Sequence, residues 1–140
     1  VVLAERIAAV RAGSGEPAEL VGELRRTAVL VPVVEDGFMS AVFGGVRWVY
    51  AFTDEEALAR FALARGAAPD EAWDFVAVLG ARLLDVVVPA CDGPAGVAVD
   101  VADEDASMLF PPVAGIVPDA VAVDVDEDGR RVAGDAGAAR

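Results

Sequence analysis

The sequence predicts a single α/β domain: a mixed sheet that starts with an antiparallel three-strand meander, helices packed on it, and an N-terminal helical segment. Three observations carry this. The apolar spacing changes from helical to strand-like near residue 28. Asp-Gly and Gly-Gly pairs punctuate the apolar runs that follow. The chain has 140 residues, enough for one domain and too few for two, and 56% of them are hydrophobic.

Residues 1–12 read as a short amphipathic helix, with Leu3, Ile7 and Val10 at helical spacing, and Gly13-Ser14-Gly15 breaks it. A second helix starts near Pro17, a favoured first-turn position. Glu16 and Glu19 meet its positive end, Arg25 and Arg26 its negative end, and Leu20, Val21 and Leu24 form its apolar stripe.

The β-branched run 28–34 is a strand. Pro32 has no N–H to give a ladder, so this strand is expected at an edge or with a bulge. Glu35-Asp36-Gly37 is a turn, residues 38–43 a second strand, Gly44-Gly45 a second turn and residues 46–52 a third strand. Alternation puts Trp48, Tyr50 and Phe52 on one face of that third strand. That aromatic face is expected to pack under the following helix; the alternative is an exposed binding stripe.

Thr53-Asp54-Glu55-Glu56 has the form of a capping box, Thr53 and Glu56 each serving the other's amide. The helix should run to about Arg65, bury Leu58 and Phe61, and end at Gly66. Residues 73–79 are expected as a strand. Gly80 opens a helix that buries Leu83, Leu84, Val87 and Val88 and stops at Pro89. Residues 91–96 make a turn, 97–101 a strand and 108–110 a short extended piece. Residues 117–125 alternate and are expected as a last strand. The domain is drawn over 1–132, and the Ala- and Gly-rich residues 133–140 as a flexible tail.

Within this order, Val29-Leu30-Val31-Pro32-Val33, Val49-Tyr50-Ala51-Phe52-Thr53-Asp54, Gly80-Ala81-Arg82-Leu83-Leu84 and Gly96-Val97-Ala98-Val99-Asp100 resemble the N-terminal domain of the SseB-like family. The likeness covers about residues 17–112, and its motifs are structural punctuation. It departs from the family's frequent Asn-Pro pair at Asp100-Val101. The resemblance implies a small bacterial α/β domain with no established activity and no catalytic residues to carry over. The richness in Ala, Val and Arg, without Lys or Asn, suggests an actinobacterial type of genome.

Composition excludes several chemistries. The chain contains no His, Lys, Asn or Gln. A histidine-based triad, a Schiff-base or P-loop lysine, a histidine-ligated metal and an Asn/Gln oxyanion donor are therefore impossible. The net charge of −13 argues against nucleic acid and against anionic membranes. It is read as a device for solubility, with a basic protein partner as the functional alternative. No apolar run reaches the ~18 residues of a membrane helix. Cys91 is the only cysteine, which fits a reducing compartment, and a cytoplasmic location is expected. The chain starts at Val1 without a Met, so what precedes it stays open.

Asp124, Asp126 and Asp128, with Gly129, Arg130 and Asp135, follow the spacing of a calcium loop. Arg131 stands where an apolar residue is usual, and Asp135 where a longer Glu is the rule. A polar hairpin turn at Asp128-Gly129 is the competing reading. The acidic clusters Asp54/Glu55/Glu56, Asp70/Glu71 and Asp103/Glu104/Asp105 are assigned to helix starts and loops. Arg82 is an anion-binding candidate in the first turn of its helix. No residue is assigned a catalytic, cofactor-binding or metal-binding role, and no cofactor is expected.

The function expected is a non-enzymatic protein-interaction or accessory module. The alternative is a small-ligand or calcium-binding sensor, using the Asp124 loop or a pocket near Trp48 and Tyr50. A protein partner is expected; a homodimer through edge strands stays open.

Overall fold

The computed structural model describes residues 2–126. Two helices, α1 (Val2–Arg11) and α2 (Pro17–Arg26), precede the strands β1 (Ala28–Val34), β2 (Gly37–Phe38), β3 (Ser40–Phe43) and β4 (Val46–Ala51). Then come α3 (Glu55–Ala64), β5 (Phe75–Leu79), α4 (Gly80–Arg82), β6 (Ala95–Val99) and β7 (Met108–Phe110). The result is the mixed α/β fold that the sequence predicts.

The meander is present, and two sheets share it. β2-β1-β5 is an antiparallel sheet, and β3-β4-β6-β7 is a mixed one in which β4 and β6 run parallel. Met39 interrupts the second predicted strand and separates β2 from β3. Leu30 and Phe52 stitch the sheets together by two backbone hydrogen bonds of 2.9 and 2.8 Å. Both hairpins have two-residue turns. Glu35 and Asp36 adopt φ of 50° and 71°, Gly44 and Gly45 φ of 64° and 79°. Positive φ at both central residues is the turn whose twist suits paired strands.

Pro32 does not mark an edge. β1 lies between β2 and β5. Pairing with β5 runs from Ala28 to Pro32, and pairing with β2 starts at Val33. Pro32 thus falls between the Leu30–Phe52 bridge and the β2 pair, where one missing donor interrupts no ladder. Its carbonyl accepts from the Met39 N–H at 2.9 Å.

Helices cover both sides. Leu3, Ile7, Leu20 and Leu24 from α1 and α2, and Leu83, Leu84 and Val88, pack with Val29, Val31, Val49, Val97 and Val99 in the main core. On the opposite face Phe52, Ala57, Leu58 and Phe61 form a smaller cluster under α3. Gly80 starts α4 against the end of α2. A Cβ there would collide with the Leu24 carbonyl, and the Gly80 N–H donates to the Thr27 carbonyl at 2.8 Å. Past Arg82 the helix widens to a π turn over Leu83–Val87 and tightens to a 3₁₀ turn over Val88–Ala90, so Pro89 sits inside the last turn instead of ending it.

The strand expected over 117–125 is not formed. Asp119–Val121 is a 3₁₀ turn, started after Pro118, and the Val123 N–H donates to Pro112. Pro118 has no N–H to give a ladder, and the turn that follows it leaves no extended run to pair. The tail 133–140, and the strand half 130–132 of the competing hairpin, lie outside the described residues. Among the described residues, no helix is long and apolar enough to cross a membrane.

Candidate functional site

The parallel strands β4 and β6 end side by side, Ala51 opposite Val99. Asp100 follows β6 directly, Thr53 follows β4 after Phe52, and these two residues meet. Thr53 donates its N–H to one carboxylate oxygen of Asp100 at 2.9 Å and its hydroxyl to the other at 2.8 Å. Asp100 is 3% exposed and is the one buried charged residue among those described. It holds φ of 52°, a left-handed conformation that Asp tolerates better than most residues. Burial pushes its carboxyl above the usual range. The two hydrogen bonds from Thr53 oppose that rise, while Asp54 and Asp103 add to it.

This clasp corrects the expected capping box by one residue. Asp54, not Thr53, is the N-cap of α3, and its carboxylate accepts from the Ala57 N–H at 2.8 Å. Thr53 is drawn away because Asp100 offers two acceptors inside the fold. Nearby, Arg60 of α3 forks onto Asp103 at 2.6–3.1 Å. The acidic clusters at 54–56 and 103–105 therefore cap and tie α3. Asp100, to which no sequence motif assigns a role, ties the residue before the α3 N-cap to the end of β6.

The second feature is the face of the mixed sheet that carries Trp48. The expectation that the aromatic stripe packs under the next helix holds for two of its three members. Phe61 of α3 meets Tyr50 and Phe52 at ring distances of 4.8 and 5.0 Å, and Trp73 edge-on at 5.9 Å. Trp48 lies further back along β4, where its ring covers Gly96; a Cβ there would lie 2.9 Å from it. Its indole N–H reaches the Phe43 carbonyl at 3.3 Å.

The register puts Ala41 beside Trp48, Gly96 on the other side, and Leu109 beside Ala98 on the same face. These residues make an open trough of about 380 Å³, lined also by Phe43, Tyr50 and Val101. Phe43 is 77% exposed and Leu109 51%. No charged side chain lines it.

Asp124 accepts from the Ala114 N–H at 2.7 Å, and Asp128, Gly129, Arg130, Arg131 and Asp135 lie outside the described residues. Among the described residues no group of three or more His, Cys, Asp or Glu is placed to hold a metal ion. Arg82 is exposed on α4. Cys91 is half-buried, its thiol against the Val87 carbonyl at 3.5 Å.

No curated protein and no solved structure matches the chain. The family model of the SseB protein N-terminal domain matches residues 3–114. That span takes in α1 and α2, both sheets, α3 and the Thr53–Asp100 clasp, further toward the N-terminus than the motifs alone reach. The chain belongs to the SseB N-terminal domain family.

Proposed function

We propose that this SseB-family domain is a protein-interaction module that acts without catalysis, through the open face around Trp48. The observation that carries this is the gathering of Phe43, Trp48 and Leu109 on a sheet face that α3 only half covers. Large apolar side chains left in water in one patch are the mark of a surface that a partner completes. The absence of His, Lys, Asn and Gln supports a role without acid–base or nucleophilic chemistry. So does the engagement of both Asp100 oxygens by Thr53.

The test uses the full chain as bait in its host. The wild type is compared with the Phe43→Ser/Leu109→Ser double variant, after equal melting temperatures have been established. Proteins recovered with the wild type and lost with the variant support the reading. The same set recovered by both overturns it.

A further inference from the structure

We propose that the Trp48 trough receives a basic amphipathic helix of another protein; this rests on the interaction-module reading above and names the partner's chemistry. The shape argument starts from the layers. One side of the mixed sheet is covered by α1, α2 and α4, and α3 lies on the other side only over Tyr50 and Phe52. Helix on sheet is how an α/β domain closes a layer, and half of this layer is unfilled. Phe43 on β3 and Leu109 on β7 stand at diagonal corners of the unfilled half. Three strand spacings, about 14 Å, separate them across the sheet. A helix with its side chains is about 10–12 Å wide. The floor between the corners is low, made of Ala41, Gly96, Ala98 and the flat Trp48 ring.

Charge selects the occupant. The trough itself carries none. Beyond Val101 the β6–β7 connection exposes Glu104 and Asp105, and Asp92 is exposed just before β6 at the other end. The cations on the α3 side are occupied: Arg60 grips Asp103, and Arg65 lies 5.8 and 5.1 Å from the Tyr50 and Phe61 rings. Arg47 points to the Ser40 hydroxyl at 2.9 Å. A partner with Lys or Arg flanking an apolar stripe therefore meets exposed carboxylates beyond both ends of β6 and the field of a chain of net charge −13. A second copy would bring −13 against −13.

The probe is a pair of synthetic helical peptides with the same leucine stripe, one flanked by Lys and Arg, the other by Glu. Each is titrated into the ¹⁵N-labelled full chain. The basic peptide is expected to shift the Trp48 indole N–H and the amides of Phe43, Ala98 and Leu109. Its binding should weaken with added salt, and the acidic peptide should bind at least about tenfold more weakly, a difference of about 1.4 kcal/mol. Phe43→Ser/Leu109→Ser should abolish the shifts at unchanged melting temperature. Equal binding of the two peptides, shifts mapping elsewhere, or no binding by either overturns the proposal. If neither binds and sedimentation shows a dimer that Phe43→Ser/Leu109→Ser dissolves, the helix is wrong and the interaction face stands. If neither binds and the double variant changes no association of the chain, both fall.

Discussion

Thr53 and Asp100 are 47 positions apart in the chain and meet through two hydrogen bonds, at 2.9 and 2.8 Å. One side chain thus fixes the end of β6 to the residue that leads from β4 into α3. Because Asp100 is buried, its stabilising effect depends on Thr53 supplying both donors.

Thr53→Val removes the hydroxyl and keeps the shape. It leaves a buried carboxylate oxygen without that donor and is expected to cost about 1–3 kcal/mol. Thr53→Ser restores the donor and should recover most of the loss. Urea denaturation of the three chains measures both.

The pH dependence follows from the raised carboxyl of Asp100. The folded state holds this proton more tightly than the unfolded chain does. Asp100's contribution is therefore complete below the unfolded carboxyl range, about 3.9, and is lost as pH rises through the higher folded value. The stability of the wild type relative to Asp100→Asn should accordingly improve as pH falls from neutral toward about 4. Asp85 acts in the opposite sense: its hydrogen bonds with Arg25 lower its carboxyl, so that contribution is lost as pH falls. Comparing Asp100→Asn and Asp85→Asn separately with the wild type across pH isolates each group.

The N-cap assignment separates two substitutions that look alike in sequence. Asp54→Ala should cost about 1 kcal/mol, the usual loss of a cap. Glu56→Ala should be within about 0.5 kcal/mol of the wild type, since Glu56 is exposed. Equal losses at both positions would return the cap to Thr53.

Gly80→Ala tests the contact of α4 with α2. The added methyl falls on the Leu24 carbonyl, a backbone atom that cannot swing aside. Overpacking of this kind costs about 1–3 kcal/mol. Thermal melting should show the loss, whereas helix propensity alone would favour Ala.

Much of the architecture is legible in the residues themselves. Local signals fix α1, α2, both two-residue turns and the start of α3 to within a residue or two, because caps, prolines and turn dipeptides act over short distances. Pro32 misleads because one missing donor can fall between two pairings, which only the tertiary arrangement reveals. Residues 117–125 mislead because alternation needs a partner strand, and Pro118 starts a 3₁₀ turn instead. The capping box was displaced by a residue distant in the chain. Only part of the trough is legible: the sequence marks Trp48, but Phe43 and Leu109 join it only through the register of β3, β6 and β7.

The order of the strands along the chain has a consequence for synthesis. β1 waits for β5, and β4 waits for β6, so the two sheets are interleaved and not sequential. A cut after Leu79 keeps every strand of the β2-β1-β5 sheet but leaves β3 and β4 without β6 and β7. An emerging chain cannot close its second sheet until Phe110 has cleared the ribosome. By then every strand of the β2-β1-β5 sheet has been made, so the mixed sheet is the last whose strands are complete.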